Sequence, residues 1–212
     1  MNKLKSSFVN MTAVLVSVAA IMGGMLAFVN HVTSDLIKKQ EEKVLAEGIA
    51  TVMGKSRGKV VVSDTITKII DGKQNIFVIH KIEGDDGSFV GAAVESTVMG
   101  FGGNLKTLVG FGRGNKILGY TVLQSSETPG LGAKADKWFQ KDGPGSIVGR
   151  NLTGRNLLEV KKDGGDIDAI TASTITSRAF LNAVNNAYLA YSGDNQTDGE
   201  SGASVKNDME KK

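Results

Sequence analysis

The stretch NIFVIHKIEGDDGSFVGAAVES, residues 75–96, decides the fold class. It contains two runs rich in β-branched and aromatic residues, 75–82 and 88–96, on either side of the turn sequence GDDG. Short apolar runs that alternate with polar residues and are bounded by glycine and aspartate predict strands joined as a hairpin. We therefore expect an antiparallel sheet at the centre of the molecule.

Three further runs of this kind surround the hairpin. They are KVVVSD at 59–64, KTLVGFG at 106–112 and KILGYTVLQS at 116–125, with DGK and GRGN turns between neighbouring runs. LLEVKK and DIDAI, on either side of a Gly-Gly pair, predict one more hairpin over 157–170. The five main runs predict a single antiparallel sheet.

Two segments have helical rather than alternating periodicity. AKADKWFQ at 133–140 predicts a short helix, and RAFLNAVNNAYLAY at 178–191 predicts a closing amphipathic helix. Together with the strands they predict an α+β domain with helices packed on the sheet.

The N-terminal part contains a long uncharged segment. MTAVLVSVAAIMGGMLAFV, residues 11–29, nearly matches the ~30 Å hydrocarbon core of a bilayer and predicts one transmembrane helix. A cleaved signal peptide is the alternative, but the run is long and no small-residue cleavage pattern follows it. Lys3 and Lys5 precede the helix, so the positive-inside rule predicts an extracytoplasmic main domain. Lysines just beyond the other end of the helix, at 38, 39 and 43, oppose that orientation.

The chain is therefore expected to have four regions. Residues 1–30 form a cytoplasmic stub and membrane anchor, and 31–54 form a juxtamembrane helix that continues the anchor and packs onto the domain. Residues 55–191 form the folded domain. Residues 192–212 are polar and glycine-rich, which predicts a disordered tail.

Composition excludes several kinds of chemistry. The chain has no cysteine, so it forms no disulfide, thiolate zinc site, iron-sulfur cluster or cysteine nucleophile. Its two histidines, His31 and His80, are far apart and are expected to be solvated or strand-surface residues rather than metal ligands. The 25 basic residues are scattered among 22 acidic ones, which argues against nucleic-acid binding.

Two glycine-rich stretches, VMGFGGN at 98–104 and SSETPGLGAK at 125–134, are candidates for ligand contact. Pro129 followed by Gly130 predicts a type II turn, whose backbone N–H groups can bind a carbonyl or phosphate. Ordinary tight turns between strands remain the alternative interpretation. GFGG lacks the strand, helix and acidic residue that a dinucleotide-binding fingerprint requires.

A run of hydroxyl side chains lies just before the closing helix. DAITASTITSRAF, residues 168–180, has five hydroxyls between Thr171 and Ser177. Thr174, Thr176 or Ser177 could cap the helix N-terminus, although capping needs only one or two of them. A helix N-terminus also favours phosphate, to which one of these hydroxyls could be esterified, so both interpretations stay open.

The N-terminal anchor, ETPGLG at 127–132 and D-x-x-T-A-S-T at 168–174 together resemble the FMN-binding G subunits of the Rnf ion-translocating electron-transport complex. The resemblance covers roughly residues 8–191. It implies an electron carrier without stand-alone catalysis, in a ferredoxin:NAD oxidoreductase of the bacterial inner membrane, with covalent FMN. The implied partners are the other membrane subunits, a flavin transferase and membrane lipid. The C-type subunits of sodium-translocating NADH:quinone reductase are the alternative within the family.

In that family a flavin transferase joins FMN by a phosphoester to the last residue of Asp-x-x-(Ser/Thr)-Gly-Ala-(Thr/Ser). The resemblance therefore implies that Thr174 is the acceptor, with Asp168 and Thr171 as motif residues. Ala172 replaces the usual glycine, and Ser173 replaces the usual alanine and adds a competing hydroxyl. Ser173 and Thr176 are the lesser acceptor candidates. The implied flavin contacts are Glu127, Thr128, Gly130, Leu131 and Gly132, with the turn at Gly102 and Gly103 nearby.

Two functions of other classes are alternatives to this one. An extracytoplasmic binding or assembly module would use the glycine loops for noncovalent flavin or partner contact. A hydrolase with a serine or threonine nucleophile would need a base beside that nucleophile, and the motifs supply none.

Overall fold

The computed structural model describes residues 8–54, 58–70, 72–154 and 156–197. Residues 1–7 of the predicted stub and anchor, 1–30, and residues 198–212 of the predicted tail, 192–212, lie outside the described residues. The chain divides into two compact units, Met1–Leu45 and Ala46–Lys212.

Helix α1 is a single uninterrupted element, Phe8–Met53, of 46 residues. Its most apolar window has a mean hydropathy of 2.2, and none of that window is buried in the protein. By length and composition it can cross a membrane, and it runs without a break to Met53. Its last residues, from Ala46 onward, belong to the second unit, where Gly48, Val52 and Met53 are buried.

The second unit is built on a five-stranded antiparallel sheet. The strands are β1 Lys59–Ile70, β2 Lys73–Glu83, β3 Phe89–Met99, β4 Asn104–Gly112 and β5 Ile117–Ser125. They pair in chain order, β1-β2-β3-β4-β5, so every connection is a hairpin. All five predicted runs are strands, and β1 extends six residues beyond its prediction because Ile66 and Ile70 pack against the core.

The two faces of this sheet are covered differently. Alternate strand residues such as Phe77, Val94 and Val109 join one apolar cluster with helix α3, Thr174–Thr197. On the opposite face the end of α1 approaches the backbone of β4 and β5. A Cβ on Gly110 would lie 2.8 Å from the Val52 carbonyl oxygen, so a side chain there would displace α1, and a Cβ on Gly119 would lie 3.0 Å from the same oxygen.

The remaining elements differ in part from prediction. The short helix predicted at 133–140 is a 3₁₀ turn, Gly132–Lys134, followed by α2, Ala135–Trp138. Helix α3 begins four residues before the predicted start and reaches Thr197, beyond the predicted end at Tyr191. The prediction of a disordered tail from residue 192 is therefore wrong for 192–197, which continue the helix.

The hairpin predicted at 157–170 is wrong. The segment contains a 3₁₀ turn, Lys161–Asp163, and Val160 and Ile167 form one parallel bridge. Gly164, at a φ of 97°, closes the turn, and the chain then runs on in the same direction. Val160 and Ile167 are both buried, so the conformation of this loop is determined by burial in the core rather than by strand pairing.

A row of interacting polar side chains runs across four neighbouring strands of the sheet, from β1 to β4. His80 lies between Ser63, whose Oγ is 2.8 Å from Nδ1, and Glu95, whose Oε1 is 2.9 Å from Nε2. Lys106 Nζ contacts the other oxygen of Glu95 at 2.6 Å. His80 lies on strand β2 but is only 4% exposed, so the expectation of a solvated or strand-surface residue is wrong as to its exposure. Its ring is buried because partners on two neighbouring strands satisfy both nitrogens.

This cluster predicts acid sensitivity. Burial raises the pKa of Glu95, but the hydrogen bonds from His80 and Lys106 outweigh it and hold the pKa below its ordinary value of 4.5. A carboxylate with a lowered pKa in the folded state stabilises the fold above pH 4.5, and this stabilisation is lost as the pH falls through the folded pKa. We expect Glu95→Gln to reduce the free energy of unfolding at pH 7 by about 1–3 kcal/mol.

The difference between wild type and Glu95→Gln should shrink as the pH falls through the lowered folded-state pKa of Glu95, because the wild-type carboxyl then also becomes neutral. Thermal unfolding by circular dichroism at several pH values measures it. Glu159→Gln, at an exposed position, is the control and should stay close to wild type at every pH. A Glu95→Gln effect that does not change with pH would contradict the assignment.

Candidate functional site

A cavity of about 330 Å³, called here the main cavity, lies where three segments distant in sequence meet. These are the β3–β4 hairpin tip at 100–103, the loop after β5 and the first turn of α3. Its volume lies within the range of roughly 300–1,000 Å³ typical of small-molecule sites. It is lined by Phe101, Glu127, Thr128, Leu131, Gly132, Ala172, Ser173, Thr174, Ile175 and Thr176.

Half of the residues predicted for the site line this cavity. They are Glu127, Thr128, Leu131, Gly132 and Thr174. Sequence motifs far apart in the chain are thus brought to one place.

The other predicted residues lie outside the cavity wall. Gly102 and Gly103 belong to the hairpin tip, and Gly130 lines a second cavity of about 420 Å³ beside Trp138. Thr171 is exposed to solvent. Asp168 forms its hydrogen bonds with residues that do not line the cavity, Lys161 and Trp138.

Asp168 holds the segment that precedes the hydroxyl run. Its carboxylate accepts a hydrogen bond from Lys161 Nζ at 2.8 Å, and its carbonyl oxygen accepts one from Trp138 Nε1 at 2.8 Å. These bonds tie the chain before α3 to the 3₁₀ turn and to α2. Asp168 therefore holds the segment that leads into α3, although its own side chain does not line the main cavity.

The turn predicted at Pro129-Gly130 is confirmed. Gly130 has a φ of 78°, and the Thr128 carbonyl accepts the Leu131 N–H at 3.2 Å. The same carbonyl also accepts the Ala133 N–H at 3.2 Å. The Leu131 amide, one of the turn amides expected as ligand donors, is therefore used inside the turn.

The structure separates the five hydroxyls of 171–177 by their partners. Thr176 Oγ1 donates to Glu127 Oε2 at 3.0 Å. Ser177 Oγ donates to the Ser173 carbonyl and accepts the Ile170 N–H, both at 2.9 Å. The capping prediction is wrong for all three candidates. Helix α3 begins at Thr174, so Thr176 and Ser177 lie inside the helix, and the Thr174 hydroxyl makes no capping hydrogen bond among the described residues.

Thr174 differs from its neighbours. Its side chain is half-buried and lines the main cavity, and within the described part of the chain its hydroxyl makes no hydrogen bond. Ser173, by contrast, is only 8% exposed and Thr176 only 1%. Thr174 is also the first residue of α3, where the helix dipole favours a negatively charged group.

Glu127 is the most connected side chain of the site. It is 7% exposed, and its Oε1 accepts the Phe101 N–H at 2.7 Å while Oε2 accepts the Thr176 hydroxyl. A Cβ on Gly100 would overlap Oε1, and one on Gly132 would overlap Oε2. Glycine at both positions makes room for the carboxylate.

Large apolar side chains are exposed around the main cavity. Phe101 is 70% exposed, Ile175 54% and Leu131 41%. A planar aromatic ligand would cover such side chains and gain apolar contact. Sequence reasoning missed Phe101, although an aromatic residue inside a glycine turn was a usable signal, and it missed Ile175, for which no signal existed.

Ala172 has a backbone conformation that favours glycine. Its φ is 61°, one of only two positive values among the described non-glycine residues. For alanine this conformation costs roughly 1–2 kcal/mol, whereas glycine adopts it freely but loses about 0.4–1 kcal/mol through unfolded-state entropy. We expect Ala172→Gly to raise the free energy of unfolding by about 0.5–1 kcal/mol.

Thermal unfolding of the two proteins measures this gain. Ala169→Gly is the matched control, because Ala169 has a negative φ and partly packs on the core. That change should lower stability by about 0.5–1 kcal/mol. If both substitutions destabilise the protein, Ala172 is not strained.

Comparisons with known proteins agree with this geometry. The FMN-binding domain family matches residues 100–189, from the hairpin tip into the buried part of α3. The chain is 32% identical to the G subunit of the ion-translocating oxidoreductase complex of Shewanella baltica over 204 residues, 91% of this chain and 93% of the relative.

Two further relatives have the same name. The G subunit of Vibrio atlanticus is 33% identical over 194 residues, 86% of this chain and 90% of the relative. That of Vibrio parahaemolyticus is 32% identical over 173 residues, 77% of this chain and 79% of the relative. The similarity therefore covers most of the length of these relatives.

Proposed function

This chain belongs to the family of G subunits of ion-translocating oxidoreductase complexes, and we propose that it carries FMN covalently on Thr174. It is an electron-transport flavoprotein and a single-pass membrane subunit. The observation that carries the proposal is the state of Thr174. Its hydroxyl combines a place in the wall of the main cavity, solvent access and no hydrogen bond among the described residues.

The chemistry of attachment suits this position. A flavin transferase would join the FMN part of FAD to Thr174. The Oγ1–P bond forms, the P–O bond between the two phosphates of FAD breaks, AMP leaves and the hydroxyl proton goes to solvent. The N-terminus of α3 favours the resulting phosphodiester because it has a partial positive charge.

The residues of the main cavity fit the rest of the cofactor. Phe101, Leu131 and Ile175 offer apolar surface to the ring, and Thr128 offers a polar side chain. Once bound, FMN supplies the electron transfer. The chain itself then needs no general acid or nucleophile, in agreement with its lack of cysteine.

The complex is proposed to be of the Rnf type, which transfers electrons between ferredoxin and NAD with coupled ion transport. Its partners would be the other membrane subunits, a flavin transferase during maturation and membrane lipid. Lys3 and Lys5 support an extracytoplasmic location of the main domain at the bacterial inner membrane. A covalent bond would prevent loss of FMN there.

The experiment is expression of the full chain with and without a flavin transferase, followed by denaturation in detergent and an acid wash. We expect flavin fluorescence on the denatured band only when the transferase is present. Flavin that washes out would instead favour a noncovalent binding module. The subunits that co-purify distinguish an Rnf-type complex from sodium-translocating NADH:quinone reductase.

A further inference from the structure

We propose that Glu127 is a positioning residue for the covalent FMN site. Its buried carboxylate joins the hairpin tip to the first turn of α3 and so holds the Thr174 hydroxyl toward the main cavity. The two hydrogen bonds that join Phe101 and Thr176 to Glu127 are called here the Glu127 clasp. This inference rests on the proposed function of Thr174 as the FMN acceptor.

The clasp joins parts of the chain that local structure does not hold together. Phe101 is 26 residues and Thr176 is 49 residues from Glu127 in sequence. All three residues line the main cavity, so the clasp determines the relative position of its walls. Hydrogen bonds to a carboxylate are stronger than neutral ones and gain further strength when shielded from water.

Packing around the carboxylate leaves it little freedom. A Cβ on Gly132 would meet Thr176 Oγ1 at 2.8 Å and would also overlap Glu127. A Cβ on Gly100 would meet the carbonyl oxygen of Gly103 at 3.2 Å, within the same hairpin tip. The carboxylate is thus enclosed by backbone on both sides.

Thr174 and Thr176 lie in the same helical turn, so the clasp influences the position of the acceptor through that turn. By fixing Thr176, it fixes the orientation of the first turn of α3, in which Thr174 is two residues away. Thr176 itself is only 1% exposed, so its burial keeps this alcohol from competing for attachment. Misplacing a reacting group by about 1 Å can cost on the order of a hundredfold in rate.

If Glu127 acts by positioning, the Glu127→Gln variant should still accept FMN. If Glu127 acts as a base or through its negative charge, the same variant should lose attachment. In the Glu127→Gln variant, the amide oxygen could accept the Phe101 N–H and the amide nitrogen could donate to Thr176 Oγ1, because a hydroxyl also accepts hydrogen bonds. This substitution therefore keeps both links of the clasp and removes only the negative charge. Glu127→Ala removes both links.

The test measures the rate of covalent FMN attachment to the full chain in detergent, with purified flavin transferase and FAD. We expect Glu127→Ala and Thr176→Val to load about ten- to a hundredfold more slowly than wild type. Glu127→Gln and Thr176→Ser, which keep the hydrogen bonds, should load within about threefold of wild type. Thr176→Val is nearly isosteric, so it reports on the hydroxyl even if Glu127→Ala fails to fold.

Each result decides the proposal. If Glu127→Gln loads as slowly as Glu127→Ala, the charge of Glu127 rather than its position matters and the proposal is overturned. It is also overturned if Thr176→Val loads at the wild-type rate. A wild-type chain that takes up no covalent FMN would instead refute the proposed function of Thr174. That outcome is distinct from a failure of the positioning role, in which the wild type is loaded and only the pattern among the variants differs.

Discussion

Replacing Thr174 with alanine is expected to abolish the FMN that survives denaturation. The reason is positional: among the hydroxyls of 171–177, Thr176 and Ser177 are bound to other groups, and Ser173 is 8% exposed. Thr171 is exposed but lies outside the cavity wall. Removing the Thr174 hydroxyl therefore leaves, among the five hydroxyls of this run, none that both lines the main cavity and is accessible. In-gel flavin fluorescence of protein made with the transferase measures the loss.

Two matched variants make this result interpretable. Thr174→Ser keeps an alcohol at the same position and should still carry FMN. Ser173→Ala removes the neighbouring hydroxyl, and this chain should also be labelled. Labelling of Thr174→Ala at the wild-type level would show that a neighbouring hydroxyl is the acceptor.

Replacing Phe180 with alanine is expected to have the largest effect on stability. Phe180 is fully buried, stacks on Phe139 with ring centroids 4.5 Å apart and meets the Tyr120 ring edge-on at a centroid distance of 4.7 Å. The Tyr120 hydroxyl in turn donates to the Ala135 carbonyl at 2.7 Å. Loss of the Phe180 ring should cost about 3–5 kcal/mol, a large part of the roughly 5–15 kcal/mol that stabilises a domain.

Thermal unfolding of the full chain in detergent measures the cost of Phe180→Ala. Phe101→Ala is the matched control, because Phe101 is 70% exposed and its truncation should change stability by less than about 0.5 kcal/mol. Similar losses for the two variants would mean that α3 is not held by the aromatic stack.

The sheet and the long N-terminal helix could be predicted because their signals are local. Alternating β-branched residues bounded by glycine turns indicated all five strands, and the uncharged run at 11–29 indicated α1. The loop at 157–170 has the same local signal as a hairpin. Its real form depends on burial of Val160 and Ile167 in the core, which a sequence window does not contain.

The residues of the candidate site that belong to a sequence motif could be predicted. The contacts between distant segments of the site could not. ETPGLG and the hydroxyl run indicated Glu127 and Thr174, which both line the main cavity. The bonds from Phe101 and Thr176 to Glu127 span 26 and 49 residues, and nothing in the composition of those segments indicates that they meet. The environment of His80 was mispredicted for the same reason, since partners on two neighbouring strands bury it.

The location of FMN on the wild-type chain tests covalent attachment to Thr174 most directly. Trypsin cleaves after Lys162 and Arg178 and releases a peptide, 163–178, that contains all the hydroxyls of the run. Fragmentation of this peptide by mass spectrometry identifies the modified residue. We expect the added mass of one FMN less water on Thr174, in protein made with the flavin transferase. An unmodified peptide, or the same mass on Thr171, Ser173, Thr176 or Ser177, would contradict covalent attachment to Thr174.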